Sequence, residues 1–124
     1  MRLLTPQAHT EDTSTALQLS NDADLQGLAL DGVTRVDLQF PKFSDGRAFS
    51  QAVVLRRRLG FKGEIRATGD VLVDQVVQMQ RSGFDSAVLR ADQDPAVAER
   101  QFTLFAAFYQ GDANETAPHF QRAA

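Results

Sequence analysis

The sequence predicts an α/β domain of about four alternating strand–helix units on a parallel sheet. The layout expected is that of half a TIM barrel, with a small doubly wound open sheet as the alternative. Three observations carry this. From Val33 to Phe40, the apolar Val36, Leu38 and Phe40 alternate with Arg35, Asp37 and Gln39, the period of a strand with one apolar face. That run passes through Pro41 into a helix pattern, Ala48, Ala52, Leu55 and Leu59, widened by Phe49 and Val53. The same order then recurs: Gly60-Phe61 and Gly83-Phe84 each follow a helix pattern and precede a strand, and Asp70 and Asp94 each stand before the next helix. Strands and helices in strict alternation imply parallel pairing through right-handed crossovers.

Residues 1–14 carry Pro, Thr and Glu with little periodicity and read as a flexible arm. Ala16-Leu17-Gln18-Leu19 suits a first strand, and Asn21 and Asp22 would cap a short helix ending near Leu30, stopped by Asp31-Gly32. Pro41 ends the next strand because it cannot donate to a ladder. Ser44 or Asp45 caps the helix that follows, and Gly60 supplies its left-handed close. Glu64 to Ala67 is a short strand and Gly69-Asp70 a loop and cap. Val71 to Ser82 is a helix with Leu72, Val76 and Met79 inward, closed by Gly83. A strand, Ser86 to Leu89, and a polar loop, Arg90 to Gln93, lead to a helix with Asp94 as N-cap and Pro95 in its first position. That helix carries Val97, Ala98, Phe102, Phe105 and Tyr109 and ends at Gly111. Its rings, Phe108 included, pack a core with some left as partner surface. One domain, 15–111, and a flexible tail, 112–124, complete the chain.

With 124 residues, 43% of them hydrophobic and 23% charged, the chain can bury one core. No apolar run approaches a membrane span, and the first residues lack the apolar segment of a signal peptide, so a cytoplasmic protein is expected. A net charge of −3 argues against a general nucleic-acid binder, and the run Arg56-Arg57-Arg58 reads as a solvated helix face. The sequence has no cysteine, which removes disulfides, thiol catalysis and iron–sulfur ligation. His9 and His119 lie towards the two ends, which disfavours a catalytic triad or a histidine metal centre. No cofactor fingerprint or metal-ligand spacing is evident, so redox chemistry would have to reside in a bound group or a partner.

Three loops are expected to meet at the carboxyl edge of the sheet, where α/β proteins hold ligands. They bring Lys42, Ser44, Asp45 and Arg47; then Arg66, Thr68, Gly69 and Asp70; then Arg90 and Asp92, with Pro41, Gly46 and Gly69 shaping the backbone. Helix N-termini at the same edge favour a bound oxyanion or phosphate. The competing reading is structural: Asp45, Asp70 and Asp94 as N-caps, and Arg66 and Arg90 paired with Asp70, Asp74 or Asp92. Acid–base work by Asp45 and Asp70 is a third. Whether Arg66 and Arg90 share a face depends on a register the sequence leaves open. Open sheet edges and an uncovered inner face call for self-association or a protein partner.

The block FPKFSDGRAFSQAVVLRRRLGFKGEIRATGDVLVDQ, Phe40 to Gln75, with RSGFDS at Arg81 to Ser86 and AFYQ at Ala107 to Gln110, resembles the bacterial family known as domain of unknown function 934. The resemblance runs from about Asn21 to Gln110. It implies a place beside assimilatory sulfite reductase, in sulfur assimilation and cysteine biosynthesis, and the family often carries an oxidoreductase label. Whether the chain is itself an enzyme stays open. The resemblance brings in Pro41, Lys42, Asp45, Gly46, Arg47, Arg66, Gly69, Asp70, Asp74 and Gln75 as motif positions without assigning them roles. The expected function is an accessory protein that contacts sulfite reductase components and forms a homo-oligomer. The alternative is a small oxyanion-binding protein or enzyme that handles sulfite or a related anion at the carboxyl-edge loops.

Overall fold

The computed structural model describes residues 1–12 and 15–106. Five strands, β1 (Arg2–Leu4), β2 (Ala16–Leu19), β3 (Arg35–Phe40), β4 (Glu64–Gly69) and β5 (Ser86–Val88), form one all-parallel sheet in the order β1-β5-β4-β3-β2. The helices are α1 (Pro6–Glu11), α2 (Arg47–Arg57), α3 (Val76–Ser82, entered through a 3₁₀ turn at Val73–Gln75) and α4 (Pro95–Ala106).

From β2 to β5 each strand lies beside its predecessor, the half-barrel progression. The register sets Val36 against Ile65 and Leu38 against Ala67, and Ala67 in turn against Ala87. The period of two therefore gathers one apolar face, covered by Ala48, Ala52 and Leu55 of α2, Val76 and Met79 of α3, and Ala98 of α4. The rings of Phe40, Phe49 and Phe84 meet within it, with centroids 5.0 to 6.3 Å apart. Burying each such side chain contributes about 1.5–3 kcal/mol.

The same register aligns Gln18, Arg35, Asp37, Gln39, Glu64, Arg66, Thr68 and Ser86 on the opposite face. Helix α1 crosses that face: His9 Nδ1 lies 3.0 Å from Arg66, and Asp12 lies 2.8 Å from Arg66 and 2.9 Å from Arg35. The sheet is thus wound on both faces, with one short helix over the polar side.

The segment expected as a flexible arm supplies β1 and α1 instead. Leu3 packs against the core, Arg2 N–H bonds Asp85 O at 2.8 Å, and Leu89 N–H bonds Leu4 O at 3.0 Å. Thr5 caps α1 by accepting the Ala8 N–H, with Pro6 next to it. A three-residue strand is too short to show periodicity. The helix expected after Asn21 does not form: residues 20–34 run through successive turns, with Gly27 and Gly32 at positive φ. There Asp24 takes the Gln26 N–H and Ser20 donates to Asp22, local bonds that compete with a helix. The Gln51 side chain pins this segment by donating to Ser20 O and Ala23 O.

Helix α2 begins later than expected, with Gly46 as N-cap, and stops before Leu59, which is exposed rather than part of the inner stripe. The next helix starts with the 3₁₀ turn rather than at Val71, which is buried and outside the helix. Strand β4 continues to Gly69, two residues beyond Ala67. The expected roles of Phe108, Tyr109 and Gly111, and of the tail 112–124, fall outside the described residues. Among the described residues, no helix is long and apolar enough to cross a membrane.

Candidate functional site at the carboxyl edge

The loop between β3 and α2 is the best-built feature of the carboxyl edge. Lys42, Phe43 and Ser44 are exposed, Phe43 by 52% despite its ring. Yet the Phe43 backbone is held at both polar groups. Its N–H donates to Asp70 Oδ2 at 2.9 Å, and its carbonyl accepts from the Gln75 side-chain amide. Asp45 N–H closes a turn on Lys42 O at 3.0 Å. The Asp45 carboxylate then accepts Asn21 Nδ2 at 2.6 Å, the Arg47 N–H at 3.0 Å and the Arg47 guanidinium. Beneath the loop, Gly69 approaches Phe40 so closely that a Cβ there would lie 2.4 Å from Phe40 O.

The arginines at this edge are committed within the chain. Arg90 donates to Asp70 at 2.7 Å and to both oxygens of Asp92. The Arg90 guanidinium, with the Phe43 N–H second, holds the Asp70 carboxyl below its usual range, and Arg90 also lowers Asp92 to about 2. Arg47, through its side chain first and its N–H second, lowers Asp45, while Arg90 is itself raised. Capping is also redistributed: Asp94 accepts the Ala96 N–H at 2.9 Å, whereas Asp70 serves a loop across the edge rather than a helix.

Arg66 sits elsewhere. It lies mid-strand in β4, fully buried on the polar face, and its neighbour in β5 is Ser86. Arg90 instead meets Asp70. The two arginines therefore do not converge, and the expected cluster reduces to Lys42, Ser44, Asp45, Arg47, Asp70 and Arg90, with Pro41, Gly46 and Gly69 in the backbone.

Around Arg66 lies a network that the sequence reading missed. Arg35 grips Asp37 through two bonds, 2.8 and 3.2 Å, and Arg66 binds Asp12, Glu64 and the Ser86 hydroxyl. Burial pushes the Glu64 carboxyl up, but the Ser86 hydroxyl and Arg66 outweigh it and the group ends lowered. Burial pushes Arg66 down, and Asp12 and Glu64 reverse that. Beside this network is a cavity of about 330 Å³ lined by His9, Gln18, Ser20, Asp37, Gln39 and Thr68. The available signal was the polar alternation in two adjacent strands, Arg35-Asp37-Gln39 and Glu64-Arg66-Thr68. Without α1 in view that face reads as uncovered. Among the described residues, no group of three His, Asp or Glu side chains is placed to hold a metal ion.

The profile of the family described as "Bacterial protein of unknown function (DUF934)" matches residues 16–120. The chain belongs to that family. No curated protein and no solved structure matches the chain. In this DUF934 protein the matched span holds β2 to β5, α2 to α4 and the carboxyl-edge loops that leave β2 to β5, while β1 and α1 precede it.

Proposed function

We propose that this protein is a cytoplasmic accessory protein of assimilatory sulfite reduction, in sulfur assimilation and cysteine biosynthesis. It acts by docking a component of the sulfite reductase system through the Lys42–Phe43 loop. The pathway follows from the resemblance of the Phe40–Gln75 block. The mode of action rests on one observation: the Phe43 backbone is fixed at N–H and C=O while its ring stays half-exposed. A fixed aromatic loses little freedom on binding and makes an efficient anchor, with Lys42 and Ser44 as a polar rim. Among the described residues no further strand pairs with the outer edges of β1 and β2, which also suits a homo-oligomer.

The reading as a sulfite-handling carrier or oxidoreductase is less well supported. Arg47 and Arg90, two of the cations it needs, are already neutralised by Asp45, Asp70 and Asp92, and Arg66 is buried. The test is recovery of tagged protein from sulfate-grown cells, beside a Lys42→Ala, Phe43→Ala variant. Sulfite reductase or its electron donor should come down with the natural chain and be lost from the variant. Recovery of neither defeats the docking reading. A saturating rise in Tm with sulfite, absent with chloride at matched ionic strength, would put the anion reading in its place.

A further inference from the structure

We infer that the cavity on the polar face of the sheet is a second, separate site. It binds a small hydroxyl-rich molecule of monosaccharide size, neutral or amine-bearing, and rejects anions. The lining is fixed by strand register. Gln18 of β2 stands opposite Asp37 of β3, and Gln39 stands opposite Thr68 of β4. Neighbouring strands lie about 5 Å apart and alternate residues about 7 Å apart, so these four side chains occupy one compact patch. His9 of α1 forms a wall. The volume, about 330 Å³, falls at the lower end of small-ligand sites.

The chemistry of the lining selects the ligand. Asp37 is only 2% exposed, and although each oxygen takes one bond from Arg35, a carboxylate has about four acceptor positions, so capacity remains. Among the described residues, neither Gln18 nor Gln39 makes a side-chain hydrogen bond, so each amide offers both donors and an acceptor to a guest. The Thr68 hydroxyl reaches Leu38 O only at 3.4 Å and is readily redirected. An arginine is always protonated, so His9 Nδ1 accepts from Arg66 and the ring proton lies on Nε2. The lining holds one carboxylate and no Lys or Arg, because Arg35 and Arg66 are engaged by Asp12, Asp37 and Glu64. An anion would meet Asp37 with no cation in the lining to receive it, since Arg35 is already engaged by that carboxylate. Hydroxyl and ammonium groups can donate to it and accept from the amides.

The test follows backbone amide NMR signals of the full chain during titration with D-glucosamine, D-glucose and D-glucuronate. These share a ring and differ in charge. Glucosamine and glucose should give saturable shifts at Gln18, Gln39 and Thr68, with glucuronate at least tenfold weaker. A Gln18→Ala, Gln39→Ala variant, both side chains being exposed, should keep the spectrum of the fold and lose at least tenfold in affinity. Thr68→Val should weaken the same probes. No saturable shift with any of the three, glucuronate binding as well as the others, or full affinity in the double variant would each overturn the assignment. The measurement needs no protein partner, so it stands or falls apart from the docking reading.

Discussion

The carboxylate of Asp70 lies 2.9 Å from the backbone nitrogen of Phe43, joining two loops 27 residues apart in sequence. Through this bond the loop leaving β4 sets the conformation of the loop leaving β3. Its second oxygen takes Arg90 from the loop after β5. Three successive loops are therefore held through one side chain. In Asp70→Ala we expect the Phe43 amide to lose protection against hydrogen exchange, and partner recovery to weaken although Lys42 and the ring remain. Unchanged protection would show that Asp70 does not hold the loop.

Phe43→Ala alone should separate display from stability. The ring is half-exposed and stands outside the core, so urea unfolding should shift by no more than about 0.5 kcal/mol. Partner recovery should nonetheless fall sharply. A large loss of stability would mean that the ring packs rather than docks.

Arg66 should behave in the opposite way. It is fully buried and binds Asp12, Glu64 and Ser86. Removing one member of a buried charge network leaves the others uncompensated, so Arg66→Ala should cost about 3–5 kcal/mol in urea unfolding. Lysine should not restore it, because a point charge cannot replace the planar fork that reaches three partners. A double Lys42, Arg66 variant would therefore confuse unfolding with lost contact, which is why the docking test replaces Phe43 instead. A cost below about 1 kcal/mol would place Arg66 outside the stabilising network.

What the sequence disclosed follows from length and period. The Val36-Leu38-Phe40 alternation and the Ala48-Ala52-Leu55 stripe span enough residues to announce β3 and α2, and both occur. Gly60 and Gly83 take positive φ at helix ends as expected. The winding on both faces was legible only as the alternative, because choosing it depends on Arg2–Leu4, three residues that become a strand only by pairing with β5. Without α1 overhead, the face that bears Arg35 and Asp37 reads as uncovered and Arg66 as a carboxyl-edge cation, so their burial had no signal. At the site, the residue types were visible but their partners were not. Whether Arg66 faces Arg90 or Ser86 is decided by a register that the sequence does not state.

Two glycines of the same loop region should respond differently to alanine. Gly69 has φ 94°, and an added Cβ would meet Phe40 O at 2.4 Å, a main-chain atom that cannot swing aside. Gly69→Ala should cost about 2 kcal/mol or more and disturb the β3–β4 edge beneath Phe43. Gly46 has φ −91° with nothing within 4 Å, so only its preference as N-cap is at stake and Gly46→Ala should cost no more than about 1 kcal/mol. Equal losses in thermal or urea unfolding would show that close approach at Gly69 is not what requires glycine.

The acid limb of stability should report the carboxyl-edge pairs together with Glu64 of the network around Arg66. Asp45, Asp70, Asp92 and Glu64 all titrate below their ordinary values of 3.8 and 4.5 in the folded chain, Asp92 at about 2. Between the folded and unfolded values the unfolded chain binds more protons, so stability rises with pH across that window. The contribution of these four groups is therefore present above their ordinary values and is lost as pH falls through their lowered ones, for Asp92 towards about 2. The raised arginines stay protonated in both states across the acid range and add no slope. Arg90 is the first influence on both Asp70 and Asp92, whereas Arg47 is first for Asp45 alone and adds only a minor pull on Asp22. Urea unfolding across the acid range should thus show a shallower limb in Arg90→Ala than in Arg47→Ala, with both shallower than the natural chain. An unchanged limb in Arg90→Ala would mean that its pairs with Asp70 and Asp92 do not persist in solution.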